Sequence, residues 1–301
     1  MRWTTLGLIF DPTGRTPWMQ THAALPFAAE VKGDRVRVLC GGRDSEGRGQ
    51  TGVVDVRVGP SGGELLSIAP EPIISIGPLG TFDDRGALPS CSVAHGGQWY
   101  HYYTGVMLGQ TVPFYYFVGL ARSADLDAPA TKVSLAPLLP FNSVDPYLTA
   151  SPFVMIDEGR WRMWYMSGVK WDVVDGKPKH YYHLKYAESD DGVSWTRTGR
   201  VVIDFDRDEY AISRPSVLRD KNGYHMWFAS RGDVYRINYA RSSDGYDWTR
   251  VGRALTSDSS AWDSEMQCYP HVFDCGGRRY MLYNGNAYGK TGFGLAMLVE
   301  D

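Results

Sequence analysis

A chain of 301 residues is long enough for two average domains or for one large closed β architecture. Its 31 basic and 34 acidic residues are interspersed and give a net charge of −3, which indicates neither a nucleic-acid-binding surface nor a charged disordered tail. Aromatic residues make up 13% of the chain, 34 Gly and 17 Pro supply turns, and no stretch has the apolar spacing of a long helix. The composition therefore predicts an all-β protein.

The chain opens with an apolar stretch, WTTLGLIF (3–10), that predicts a strand. Asp11 and Pro12 follow directly and no small-residue cleavage site appears, so the stretch is a poor match to a secretory signal. No segment approaches the ~20 apolar residues that a membrane span needs. Four cysteines could form two disulfides, but without an export signal we expect buried free thiols. These features predict a cytoplasmic protein that contacts neither membrane nor nucleic acid.

One pattern occurs five times in the sequence. Each unit begins near a proline, continues with alternating apolar residues and a polar turn containing Gly, and ends in an aromatic-rich strand, which predicts a β-hairpin. A further apolar stretch follows each hairpin. The anchoring prolines are Pro26, Pro89, Pro152, Pro215 and Pro270.

Five units of four strands predict a five-bladed β-propeller that forms a single domain over residues 1–301. The fifth unit lacks a fourth strand of its own, because its last apolar stretch ends close to Asp301. The N-terminal stretch can supply the missing strand. We therefore expect residues 6–10 to pair beside 293–299 and to close the ring.

The third and fourth units share a copied segment. AESDDGVSWTRTGR (187–200) and ARSSDGYDWTRVGR (240–253) have the same Ser-x-Asp-Gly-x-x-Trp core. Asp and Gly shape a tight turn from a third to a fourth strand, and we expect Trp195 and Trp248 to pack between blades. The copied segment is thus interpreted as structural.

The units SPFVMIDEGRWRMWYMSG (151–168) and SRPSVLRDKNGYHMWFASRG (213–232) resemble those of the five-bladed glycosidase superfamily. That group includes arabinanases, β-xylosidases, invertase-like fructosidases and β-mannoside phosphorylases. The resemblance implies a propeller that acts on carbohydrates without a cofactor, with catalytic carboxylates one or two residues before the inner-strand prolines. No acidic residue occupies those positions here, so no catalytic residue carries over. They are Leu25, Leu88, Ser151, Arg214 and Tyr269 directly before, and Ala24, Ala87, Ala150, Ser213 and Cys268 two before.

Carboxylates do recur slightly earlier, in the loops that enter the inner strands of the last four units. Acid–base chemistry on a glycosidic bond needs two such groups with different pKa values. We predict Asp84, Glu209 and Glu265 as the catalytic candidates. Asp145 is a weaker catalytic candidate, because its Asp-Pro pair lies seven residues before Pro152. It is also predicted to bind substrate. The alternative for each is a solvated or turn-capping acid.

Several other side chains are predicted to contact the substrate at the mouth of the central channel. Arginine offers a rigid fork of donors to hydroxyl, carboxylate or phosphate groups, and aromatic rings offer a flat surface to a sugar. His180 and His183 fall on opposite faces of a strand, which argues against a metal site. The predicted substrate-binding residues are His22, Arg85, Asp145, Tyr147, Arg214, Tyr269 and His271.

The leading hypothesis is a carbohydrate-active enzyme that cleaves or transfers a glycosyl bond of a small or activated sugar by carboxylate chemistry, with no cofactor. The alternative is a non-catalytic sugar-binding propeller that has lost its acids. A protein-interaction scaffold is the third hypothesis, and the clustering of charged loops at the inner-strand starts disfavours it. The sequence leaves the sugar, the linkage and the oligomeric state open.

Overall fold

The computed structural model describes residues 1–256 and 262–300, and nearly all of its regular structure is β. One short helical turn, α1 (Asn286–Gly289), follows the nineteenth strand. The strands are β1 (Arg2–Phe10), β2 (Thr21–Lys32), β3 (Arg35–Arg43), β4 (Gly49–Gly59), β5 (Gly62–Ile68), β6 (Gly86–His95), β7 (Gln98–Leu108), β8 (Phe114–Ser123), β9 (Thr131–Lys132), β10 (Thr149–Asp157), β11 (Arg160–Val174), β12 (Lys177–Ser189), β13 (Thr196–Ile203), β14 (Ala211–Asp220), β15 (Gly223–Arg231), β16 (Tyr235–Ser242), β17 (Thr249–Arg253), β18 (Cys268–Cys275), β19 (Arg278–Asn284) and β20 (Phe293–Glu300).

The strands form five antiparallel blades of four. Blades 1 to 4 take consecutive strands, β2–β5, β6–β9, β10–β13 and β14–β17, and blade 5 has the order β18, β19, β20, β1. The first strands contact one another in cyclic order, β2 to β6, β10, β14, β18 and back to β2. The five-bladed propeller predicted from the repeat is confirmed.

The ring is closed by the N-terminal strand. β1 pairs antiparallel with β20, from Arg2 opposite Glu300 to Phe10 opposite Phe293. Its Trp3 ring packs edge-on against Trp227 of blade 4, with 5.9 Å between the ring centroids. The expected pairing of the N-terminal stretch is therefore confirmed, and the strand buries apolar surface that the last blade would otherwise expose.

The two copied segments are the turns from third to fourth strand in blades 3 and 4. In the first, Ser189 and Asp191 accept hydrogen bonds from backbone N–H groups of the turn, and Gly192 adopts a φ of +72°. The Trp195 ring meets Tyr102 of blade 2 at 6.0 Å, and the Tyr102 hydroxyl donates to the Gly192 carbonyl at 2.7 Å. The turn thus joins neighbouring blades.

The second copy repeats this arrangement between blades 3 and 4. Trp164 Nε1 donates to the Gly245 carbonyl at 2.9 Å, and the Trp248 ring lies edge-on to Trp164 at 6.3 Å. Both copied tryptophans are half-buried. The predicted structural role, packing between blades, is confirmed.

Two further expectations concerned the state of the cysteines and the presence of membrane-spanning segments. All four cysteines are buried and free, as expected from the sequence. Among residues 1–256 and 262–300, no helix has the length and apolar character that crossing a membrane requires.

The turn at Gly192 allows a matched test of blade-to-blade packing. Gly192 and Gly176 share a φ of +72°, but a Cβ at Gly192 would lie 2.8 Å from the Tyr102 hydroxyl, whereas one at Gly176 meets nothing within 4 Å. Each Gly→Ala change should cost about 1–2 kcal/mol for the left-handed backbone. Gly192→Ala should lose a further ~1–3 kcal/mol from overpacking, measured as the free energy of unfolding in urea. A Cβ at Gly192 would also lie 2.8 Å from Trp161 of its own blade, so equal losses in the two variants would show that neither contact resists the added methyl group.

Candidate functional site

The candidate site is a cavity of about 300 Å³ on the propeller axis, where the first strands of the blades begin. All five first strands contribute to its base. Their lining residues are Ala24 and Leu25 of β2, Leu88 of β6, Ala150 and Ser151 of β10, Ser213 of β14 and Tyr269 of β18.

The residues before the anchoring prolines reach the axis because the first strands are irregular there. The register with the second strand shifts across this segment in every blade. Leu25, Ser151, Arg214 and Tyr269 adopt φ values of +47° to +57°, a conformation that costs a non-Gly residue about 1–3 kcal/mol. Such bulges redirect side chains, and here they accompany residues that line the axial cavity.

Aromatic side chains form the wall of the cavity. The His180 ring stacks on Tyr182 with 4.9 Å between centroids, and the Tyr182 and Tyr235 hydroxyls are hydrogen-bonded to each other. Burial raises the pKa of Tyr182, Tyr235 and Tyr269 well above its ordinary value, so these hydroxyls stay neutral. The remaining aromatic lining residues are Phe114, Tyr116 and Tyr288.

Two arginines are the charged residues of the lining. Arg43 ends β3 and Arg231 ends β15, and antiparallel pairing sets them opposite Thr21 and Ala211, where the first strands of blades 1 and 4 begin. No carboxylate of residues 1–256 and 262–300 lines the cavity. The lining contributed by the described residues is therefore aromatic and cationic, and it holds no pair of carboxylates.

Arg214 is buried beside the cavity and serves the backbone. Its side chain is 2% exposed, and its guanidinium donates four hydrogen bonds of 2.7–3.2 Å to carbonyl oxygens of β2 and β6. Burial lowers its pKa to about 10, which leaves it protonated at neutral pH. Four of its five N–H donors are thus already used, which gives Arg214 a structural role, and its contact with substrate stays a prediction.

The two predicted histidines lie outside the cavity lining. Burial, followed by the nearby Arg43 and Lys290, lowers the pKa of His22 to about 4, and its Nδ1 is 2.9 Å from Thr21 Oγ1. His271 is buried against Phe27 at 4.1 Å, and burial lowers its pKa to about 3. His271 thus packs against the first strand of blade 1, and its contact with substrate stays a prediction.

The loop carboxylates recur because each holds a loop against its own blade. In blades 2, 3 and 5, a buried Asp accepts a hydrogen bond from the hydroxyl of a Tyr twenty residues later, on the second strand. The pairs are Asp83–Tyr103 at 2.8 Å, Asp145–Tyr165 at 3.0 Å and Asp263–Tyr283 at 2.9 Å. The periodic acids seen in the sequence are therefore mainly structural.

Asp145 has the largest set of donors among the predicted site residues. It is fully buried and accepts hydrogen bonds from Ser167 at 2.7 Å, Arg197 at 3.0 Å and Lys185 at 3.3 Å, besides Tyr165. A carboxylate with these partners has no open position for a sugar. Asp145 lies outside the cavity lining, and its contact with substrate stays a prediction.

Glu209 belongs to a separate surface groove of about 370 Å³ near the end of β15. Arg250 grips it with two hydrogen bonds of 2.7 Å, and Ser230 donates a third at 2.5 Å. Burial acts to raise the pKa of Glu209, but these hydrogen bonds outweigh it and leave the pKa below the ordinary value. Glu209 is thus the ionised partner of Arg250, whereas a general acid has to be protonated.

The other predicted residues also lie outside the axial cavity. Asp84 Oδ2 accepts a hydrogen bond from the Gly80 backbone at 2.9 Å. Glu265 is exposed, and neither residue lines the cavity. Arg85 reaches a backbone carbonyl at 3.4 Å, and Tyr147 is 37% exposed. The expectation that two of the three catalytic candidates share one cavity with Arg214 does not hold. Of the ten predicted residues, Tyr269 alone lines it.

Sequence comparison places this protein with two proteins of Mycobacterium tuberculosis, while no protein-family model matches it. Uncharacterized protein Rv1502 of strain H37Rv and uncharacterized protein MT1551 of strain CDC 1551 / Oshkosh are each 42% identical to it over 303 residues, which cover 99% of both proteins. This protein belongs to their family. Its members match from end to end, so the whole propeller is common to them.

Solved structures at low identity share the fold. The complex of BT0996 with RGII has a TM-score of 0.76 at 18% identity, covering 98% of this protein and 91% of its counterpart. A glycoside hydrolase has a TM-score of 0.75 at 17% identity, covering 99% and 92%. The GH43_1 enzyme from Xanthomonas citri, complexed with xylotriose, has a TM-score of 0.65 at 14% identity, covering 99% and 90%. The protein is structurally similar to five-bladed propeller glycosidases over nearly its whole length.

Sequence reasoning missed most of the cavity wall. Arg43 and Arg231 are the last residues of their second strands, and an antiparallel hairpin returns such residues to the start of the first strand. Extending each predicted hairpin by this rule would have found both arginines. His180, Tyr182 and Tyr235 lie near the start of third strands, where no local signal in the sequence marked them.

The structural role of Asp145 is testable against Asp84. Asp145→Asn keeps the shape but leaves Lys185 and Arg197 buried without a counter-charge, so it should lower the free energy of unfolding by about 3–5 kcal/mol at pH 7. Asp84→Asn, which affects one loop hydrogen bond, should cost ~1 kcal/mol or less. Urea unfolding measures both. An Asp145→Asn variant of native stability that had lost ligand binding would instead identify Asp145 as a ligand-contacting group.

Proposed function

We propose that this protein binds a small carbohydrate in the axial cavity and does not cleave it by paired-carboxylate chemistry. The proposal depends on one observation. At the propeller axis, where the first strands begin, the cavity has an aromatic wall and no carboxylate from the described part of the sequence.

The lining suits a sugar in size and chemistry. A cavity of about 300 Å³ is at the small end of ligand pockets, which run from roughly 300 to 1,000 Å³, and it favours one or two sugar rings. The rings of Tyr182 and Tyr269 offer flat apolar surface, while tyrosine hydroxyls and Thr104 offer donors and acceptors to sugar hydroxyls. The similar structures named as glycoside hydrolases support carbohydrate as the ligand class by analogy of fold.

The chemistry of the described acids disfavours hydrolysis. Glycosidases hold two carboxyl groups about 5–5.5 Å or 6.5–9.5 Å apart across the scissile bond. Here Asp145 and Glu209 are bound to arginine or lysine, and Asp83 pairs with Lys132 at 2.5 Å. The cavity tyrosines have raised pKa values, so they are poor nucleophiles without a base beside them. This arrangement supports binding without cleavage.

A panel of neutral and acidic mono- and disaccharides, titrated by calorimetry, tests the proposal with Tyr269→Ala and Tyr147→Ala as a matched pair. Tyr269 lines the cavity and Tyr147 does not. Sugar affinity should fall by roughly tenfold, ~1.4 kcal/mol, in the first variant and stay unchanged in the second. Aryl glycosides of the same sugars should remain intact with the wild-type protein.

Two results would contradict the proposal. Absence of binding by every sugar in the panel would remove the carbohydrate ligand. Turnover of an aryl glycoside that Glu265→Gln or Asp84→Asn abolishes would restore the carboxylate mechanism and make the protein a glycosidase.

A further inference from the structure

The charge of the axial cavity has one sign. Arg43 and Arg231 line it, and no described carboxylate does. Two acids on neighbouring segments have other partners: Asp44, next to Arg43 in the sequence, pairs with Arg48 at 2.8 Å, and Glu209 pairs with Arg250 at 2.7 Å. The two cavity arginines form no ion pair with the carboxylates that the structure describes. Although the protein carries a net charge of −3, its axial site is positive.

Arg231 is partly buried among aromatic rings, and no described carboxylate pairs with it. Its guanidinium carbon lies 5.6 Å from the ring centroids of Tyr210 and Tyr235 and 5.9 Å from that of Tyr288. Its Nε is buried without a hydrogen-bond partner. Ring faces offset part of the cost of desolvating a guanidinium, but a buried donor without an acceptor remains unfavourable. Arg231 lines the cavity, where an anionic ligand would supply the counter-charge that it lacks among the described residues.

Other cations strengthen the positive potential around the mouth. Lys179 Nζ lies 3.9 Å from the centroid of Tyr210, and the buried Arg214 lies beside the cavity without a carboxylate partner. The pKa of His180 is lowered to about 4, mainly by burial and further by the positive charges of Arg231 and Lys179. Low-dielectric walls focus such a field onto whatever enters the cavity.

Three loop acids have partners outside the cavity lining and so do not offset this charge. Lys132 neutralises Asp83, and Lys185 and Arg197 surround Asp145. Asp263 accepts from the Tyr283 hydroxyl at 2.9 Å. The fold therefore separates its acids from the arginines that line the axis.

We propose that the sugar bound in the axial cavity carries an anionic group, a carboxylate or a phosphate ester, and that Arg43 and Arg231 bind this group. The inference rests on the proposed sugar-binding function and specifies its ligand class. Two guanidinium forks suit the planar and tetrahedral oxygens of these anions, whereas a neutral sugar would leave both cations without a counter-charge.

Calorimetry with matched sets of sugars tests the inference on the full-length protein. Glucose, glucuronate and glucose 6-phosphate form one set, and the galactose, mannose and xylose series form others where the acids and esters exist. We expect the acidic member of the preferred set to bind at least tenfold more tightly than its neutral partner. Raising the salt concentration from about 50 to 500 mM should weaken the acidic sugar alone. A preference between uronate and phosphate ester identifies the source of the charge.

Three variants locate the contact. Arg231→Met and Arg43→Met should each weaken the acidic sugar by roughly 10- to 100-fold and the neutral sugar by a smaller factor. Arg241→Met removes the same charge from an exposed position of β16 outside the cavity and should change neither. Arg43 is exposed, so its variant tests the inference even if Arg231→Met does not fold.

The outcomes separate this inference from the function on which it rests. Neutral and acidic sugars of equal affinity, or acidic-sugar affinity unchanged in both arginine variants, would overturn the inference and leave sugar binding intact. If inorganic phosphate bound with the same affinity as every sugar phosphate, the sugar would contribute nothing to binding. That result would overturn sugar recognition and leave an anion site. No binding by any member of the sets would overturn both.

Discussion

Four backbone carbonyls at the centre of the propeller depend on the guanidinium of Arg214. The first strands β2 and β6 are irregular at their prolines, so carbonyl oxygens there lose their ladder partners. Arg214, carried by β14, donates to the carbonyls of Leu25 and Pro26 on one strand and Pro89 and Ser90 on the other. Each buried carbonyl without a donor would cost about 1–3 kcal/mol. One cation thus ties three blades together where the cavity is formed.

The need to satisfy buried polar groups also explains why the loop carboxylates lie away from the axial cavity. A propeller loop that enters a first strand has to be fixed to its blade, and the buried Asp–Tyr pairs do this in blades 2, 3 and 5. Blade 4 uses Glu209 with Ser230 and Arg250 for the same purpose. Because these carboxylates are committed to loop anchoring, the axis is left to arginine, histidine and tyrosine side chains. The recurrence of a residue type therefore reflects the repeat of the scaffold.

The sequence contained enough local information for the fold. Prolines, glycine turns and alternating apolar residues repeat with the blades, and the unpaired N-terminal stretch required a partner, so the propeller and the β1–β20 closure were predictable. The site was harder to predict than the fold, because the position of a residue in a loop does not reveal the direction of its side chain. Asp145 and Asp84 were correctly located on entering loops, yet the first faces a buried cation pair and the second caps a turn. Tyr269 was found since it precedes a proline, while Arg43 and Arg231 required the hairpin register.

The closure by β1 also governs the order in which this protein can acquire its structure on the ribosome. β1 is synthesised before the other strands of the propeller, yet its ladder partner is β20, and the ion pair between Arg2 and Glu300 joins residues 298 positions apart. At about 5–20 residues per second, β1 waits roughly 15–60 s for that partner with its hydrogen-bonding edge and apolar face unpaired. Closing so long a loop is entropically unfavourable and comes late. The ring therefore stays open until the last blade is made, and the nascent polypeptide exposes a strand edge to chaperones or to other proteins throughout synthesis.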